Sequence, residues 1–145
     1  PHLCTVRKKL LPAHRLFNPN RELMRNLFIS NTGNKATEYV KFFATEDCNL
    51  GHFVIVDNTY DAQGNPSNKL RHFYAFPNHP VKKDDMIVLW TRKGTNDVVT
   101  KNQTHKPQHN FFWNLNEHVW NVTGDEVHLL DVREVFAKKV GKYIG

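Results

Sequence analysis

Residues 121–131 read Asn121-Val122-Thr123-Gly124-Asp125-Glu126-Val127-His128-Leu129-Leu130-Asp131, with three carboxylates and one histidine inside the seven residues from Asp125 to Asp131. Two readings compete: a cluster of acid, base or metal-ligating groups, or a turn that feeds a strand. In an extended chain alternate side chains share a face. Glu126 and His128 then lie on one side, about 7 Å apart along the backbone, and Val127 and Leu129 on the other. That is the pattern of a half-buried strand. Thr123-Gly124-Asp125 supplies the turn, because glycine accepts positive φ and an aspartate side chain accepts backbone N–H bonds. Acid–base or metal chemistry needs a third converging group held from behind, and no sequence neighbour provides one. The stretch is read as architecture.

The same alternation recurs along the chain. Runs rich in β-branched and aromatic residues fall at Leu27 to Ser30, Glu38 to Ala44, Phe53 to Asp57, His72 to Phe76, Met86 to Arg92, Phe111 to Trp113, Glu126 to Asp131 and Glu134 to Val140. Turn-forming clusters such as Asn31-Thr32-Gly33-Asn34, Pro77-Asn78-His79-Pro80 and Lys93-Gly94-Thr95-Asn96-Asp97 separate them. About eight short strands without intervening helices predict an antiparallel β-sandwich. Val40 and Phe42 share one face of their run, and Tyr39, Lys41 and Phe43 the other. Met86-Ile87-Val88-Leu89-Trp90 is almost wholly apolar, which predicts a central strand covered on both sides. Trp113 and Trp120 are expected to plug the core between the sheets. A short helix is expected over Asn18 to Leu27, with Asn18 as cap and Pro19 in the first helical position. Lys93 to Asn110, polar and basic, is expected to be a mobile surface loop.

At 145 residues, 39% of them hydrophobic and 12% aromatic, the chain suits one domain with one core. No run reaches the roughly 18 apolar residues of a membrane helix. Pro12, His14 and Arg15 interrupt the early apolar run before it can form a signal-peptide core. A cytoplasmic location is therefore the expectation, unless an upstream signal has already been removed. Two cysteines, Cys4 and Cys48, are too few for a disulfide scaffold and are expected to be thiols, although a single bridge between them is open.

Motifs for chemistry are sparse. His105 and His109 stand four apart, but Pro107 between them opposes a helix, and a loop metal site would have to recruit His118. Asp57, Asp61 and Asn65 around Gly64 lack the spacing and terminal glutamate of a calcium loop and are read as a hairpin. Glu46 and Asp47 beside Cys48 oppose thiolate formation. There is no glycine-rich phosphate loop, GxSxG elbow or HExxH. No catalytic residue, cofactor or metal is expected, and the chain is read as not an enzyme. A small metal-dependent hydrolase stands last among the alternatives. The net charge of +6 makes a polyanionic partner physically reasonable. The cations that would make sequence-independent nucleic-acid contacts are Arg7, Lys8, Lys9, Arg15, Lys101, Lys106, Lys138, Lys139 and Lys142.

Four motifs in order carry a family resemblance: Glu38-Tyr39-Val40-Lys41-Phe42; Asn49-Leu50-Gly51-His52-Phe53-Val54-Ile55-Val56-Asp57; Phe76-Pro77 followed by Val81 to Leu89; and Trp120-Asn121 through Gly124-Asp125 to Asp131. From about Phe28 to Val135 the chain resembles the lamin-tail domain family, found at the tails of nuclear lamins and in bacterial proteins. Phe53 stands where the family usually has tryptophan, Asp84-Asp85 replaces its usual Pro-Gly, and the glycine expected after Asp131 is missing. The resemblance implies an immunoglobulin-like β-sandwich. It also implies a non-enzymatic binding module that docks protein partners through loops and edge strands, and an association with DNA or chromatin. The expected organisation is a basic N-terminal segment with the short helix over 1–26, the sandwich over 27–140 and a tail over 141–145.

Overall fold

The computed structural model describes residues 22–58, 61–65, 67, 72–100, 103, 105–120 and 125–141. Ten strands follow one another: β1 Met24–Ser30, β2 Tyr39–Ala44, β3 Cys48–Asn49, β4 Phe53–Asn58, β5 Phe73–Ala75, β6 Pro80–Val81, β7 Met86–Trp90, β8 Asp97–Thr100, β9 Pro107–Phe112 and β10 Glu126–Asp131. They form a five-stranded sheet in the order β1-β2-β7-β9-β8, a three-stranded sheet β10-β4-β5 and a two-stranded ribbon β3-β6. The large and the three-stranded sheet enclose one core. Val40, Phe42, Ile87, Leu89 and Phe111 come from the first, and Phe53 and Ile55 from the second, with Val127 and Leu129 packed against them. Trp120 is fully buried at the centre, and Trp113 is half-buried against it at a ring separation of 6.0 Å. The chain is thus an all-β sandwich.

The strand of the opening stretch is placed as read, while Asn121 to Gly124, with the expected turn, lie outside the described residues. β10 pairs with β4 from Glu126 opposite Asn58 to Asp131 opposite Phe53. β7 is interior, between β2 and β9, and Val88 is buried at 2% exposure on the face away from the core. Cys48 is a buried thiol; Cys4 lies outside the described residues.

Four expectations need correction. The described part of the expected Asn18 to Leu27 helix is not helical: Met24 onward is strand, paired with β2 and bulged between Arg25 and Phe28 at Asn26, whose φ is 56°. Pairing along β2 and burial of Met24 and Ile29 against the core outweigh a capping signal that sets only local preference. The start of the sandwich accordingly moves to Met24. The expected loop from Lys93 to Asn110 instead holds β8 and most of β9, antiparallel to each other. β9 then runs parallel to β7, so the large sheet is mixed. Finally, Glu134 to Val140 forms no strand; Val135, Phe136 and Val140 are 81%, 90% and 93% exposed, since alternation without a partner strand makes no ladder.

Glu38 locks the sandwich. Its side chain is fully buried and accepts the N–H of Val119 at 2.7 Å on Oε1, and those of Gly33 and Trp120, each at 3.2 Å, on Oε2. A buried carboxylate is tolerable when its lone pairs are taken up in this way.

Candidate functional site

Strand register sets out the outer face of the large sheet, the side turned from the core, in three rows. Ser30, Tyr39, Trp90 and Phe112 align; so do Phe28, Lys41, Val88, Asn110 and Asp97; so do Arg25, Phe43, Met86, Gln108 and Val99. Aromatic rings and cations interleave across these rows. Lys41 Nζ lies 4.4 Å from the Phe28 ring centre and 5.9 Å from that of Phe43. The Arg25 guanidinium is 4.9 Å from the Phe43 ring, and that of Arg92 is 4.9 Å from both Trp90 and Phe112. Such contacts hold a cation in place without themselves neutralising its charge, and of the three only Arg25 stands beside a carboxylate, Asp84, among the described residues.

The face is built stiffly. Trp90 and Phe112 are 12° from parallel with centres 6.4 Å apart, and Tyr39 packs on Trp90 at 4.9 Å. Trp90 Nε1 donates to Asn110 Oδ1 at 3.2 Å, Gln108 Nε2 donates to the same oxygen at 2.8 Å, and Asn110 Nδ2 donates to Asp97 Oδ1 at 2.8 Å. Gly94 lies against the Phe112 ring so closely that a Cβ there would sit 2.4 Å from a ring carbon. Two shallow depressions follow each other along β7. One is lined by Tyr39, Lys41, Met86, Val88, Trp90 and Gln108. The other shares Met86 and Gln108 with it and adds Arg25, Phe43, Asp84, Gln103 and Lys106. Asp84, 3.4 Å from Arg25, is the one carboxylate among these linings.

A second polar constellation lies at the end of the sandwich. The buried Asp85 accepts hydrogen bonds on one oxygen from the Lys82 N–H at 3.0 Å and from His109 Nε2 at 2.9 Å, and His109 Nδ1 lies 2.7 Å from His79 Nε2. Asp85 and His109 are 4% and 6% exposed, so only His79 reaches toward solvent. Burial depresses the His79 pKa below its usual value, the neighbouring His109 adds to that, and Asp85 opposes it. The chain joins the 77–80 loop to β9 and to the turn before β7. It works as a fastening, with each nitrogen that points inward occupied.

Of the cations expected to contact nucleic acid, Lys106 lines the outer face, while Lys138 and Lys139 sit in the exposed segment after β10. Arg7, Lys8, Lys9, Arg15, Lys101 and Lys142 lie outside the described residues. His105, His109 and His118 do not converge: among the described residues no three metal-ligating side chains come together. His128 Nε2 is 2.9 Å from Glu126 Oε1, an ion-pair separation without the alignment of a hydrogen bond, and the two share a face as read. Asp61 folds its own turn, accepting the Gln63 and Asn65 N–H groups, while Asp57 holds His72. Among the described residues no helix is long and apolar enough to cross a membrane.

No family model matches the chain, and no curated protein matches it.

The aromatic and cationic face went unnoticed in the sequence apart from Lys106. Its signal was present in Tyr39-Lys41-Phe43, three bulky residues on the side of β2 opposite Val40 and Phe42. A half-buried strand ordinarily turns small polar groups outward.

Proposed function

We propose that this chain is a non-enzymatic binding module, of the lamin-tail type that its motif order suggests, and that it engages an anionic partner on the outer face of the β1-β2-β7-β9-β8 sheet. One observation carries the reading: Lys41, Arg25 and Arg92 are held over Phe28, Phe43, Trp90 and Phe112, so that positive charge and apolar area share the outer face of the sheet. Lone solubilising charges have no need of that arrangement. The buried carboxylates favour the same conclusion, because Glu38 is taken up by backbone N–H groups and Asp85 by His109 and the Lys82 N–H.

Heparin serves as a generic polyanion for the test. Lys41→Glu with Arg92→Glu is expected to abolish most of the salt-sensitive binding while far-UV circular dichroism stays unchanged. Undiminished binding by the double variant would move the contact surface elsewhere.

A second reading is favoured by β8. This strand lies at one edge of the large sheet, and Val98 and Val99 are 51% and 43% exposed, which suits a protein partner added as a further strand. Val98→Lys should weaken capture of such a partner and leave heparin binding intact.

A further inference from the structure

The two depressions allow the anionic partner to be specified. We infer that the outer face takes single-stranded nucleic acid, with unpaired bases in the depressions and phosphates on the flanking cations; this rests on the polyanion reading above.

Three features point to it. First, the depressions lie in sequence along β7, where alternate residues repeat about every 6.8 Å, so a linear polymer laid along the strand would meet them in turn. Second, each has an apolar base and cationic flanks. Val88 floors the first, with Tyr39 and Trp90 on one side and Lys41 on another; Phe43 and Met86 line the second, with Lys106 and the Arg25–Asp84 pair beside them. An unpaired base offers a flat apolar face and polar edges, and a phosphate follows at every unit. Third, an amide side chain, that of Gln108, borders both depressions, where a base edge could meet it, and the one carboxylate there, Asp84, is paired with Arg25. Sheet faces bearing aromatics and cations hold two or three unpaired bases in common RNA-binding modules. A duplex conceals the faces of its bases, so it could use the cations but not the depressions. An acidic peptide would satisfy the cations too, but it would have to alternate acidic and planar side chains to fill both features.

Anisotropy titrations of labelled oligo-thymidine, the corresponding duplex and poly-glutamate, each at low and high salt, decide the matter. Single-stranded DNA is expected to bind most tightly and to weaken steeply with salt. Trp90→Leu is expected to reduce its affinity by roughly 5-fold or more, the scale of one lost stacking contact. Because Trp90 is half-buried and bonded to Asn110, Lys41→Ala provides a second variant, at a side chain on the outer face away from the core, expected to weaken the single strand and lower the salt dependence. Equal binding of duplex and single strand, tighter binding of poly-glutamate, or no effect of either variant on the single strand would overturn the inference. If heparin binding still depends on Lys41 and Arg92 in those cases, the polyanion reading stands without it; if heparin binding does not depend on them, both fall.

Discussion

Phe42 and Phe43 are neighbours in β2 and chemically identical, yet they belong to different worlds. Phe42 is fully buried, with the Phe76 ring edge-on at 5.8 Å, and faces the core. Phe43 is half-buried on the outer face under Arg25 and Lys41. The inner face is apolar apart from a few polar groups, of which Glu38, Asp85 and His109 are bonded in place while Trp120 Nε1 finds no partner among the described residues, whereas the outer face keeps its aromatic area partly open. Aromatic residues thus serve cohesion on one side of the sheet and carry cations on the other, and the pleat alone decides which.

The largest test of that contrast is Phe42→Ala, expected to destabilise the fold by about 3–5 kcal/mol in urea unfolding, since it empties a buried ring site. Glu38→Gln comes next. It leaves one acceptor oxygen for three backbone N–H groups and is expected to cost on the order of 2–3 kcal/mol, with the midpoint moved and the denaturant slope unchanged. Phe43→Ala should cost about 1 kcal/mol or less but weaken heparin binding; a loss comparable with Phe42→Ala would erase the distinction between the faces.

The smallest effect concerns pH. His79 has a folded-state pKa below its ordinary 6.5, so its neutral form is favoured by folding. Its contribution is present above pH 6.5 and is lost as pH falls through the lowered value, because the unfolded chain binds the proton more readily. His109 Nδ1 and His79 Nε2, 2.7 Å apart, can share one hydrogen but cannot both carry one. Thermal melts across that range should show a shallower pH dependence in His79→Gln than in the wild type; identical slopes would remove the histidine chain as a titrating fastening.

Much of the fold was legible because strand periodicity is local. The strand of Glu126 to Asp131, the inward set Val40 and Phe42, and the interior position of Met86 to Trp90 follow from alternation and apolar run length. The region from Lys93 to Asn110 was illegible for an equally physical reason. β9 presents Gln108 and Asn110 outward and His109 inward, so no hydrophobic alternation marks it, and its place is set by a parallel pairing with β7 that closes through the β8 hairpin. The segment before β1 failed in the opposite sense, since a good helix-start signal was overruled by strand pairing.

The candidate face shows the same division. Lys106 was visible as one cation in a basic stretch, but its neighbours Arg25, Phe43 and Met86 come from three other places in the chain.

By itself, the sequence determined the class of fold, the inward and outward sets of several strands, and the structural role of the Asp125 to Asp131 stretch, because a two-residue repeat needs only adjacent residues. Only the tertiary structure decided that Lys41, Arg25 and Arg92 come to rest on Phe28, Phe43, Trp90 and Phe112, and that Asp85, His109 and His79 form one chain. Those contacts depend on which strands lie side by side and in what register, and strand order is fixed by packing across the whole sheet.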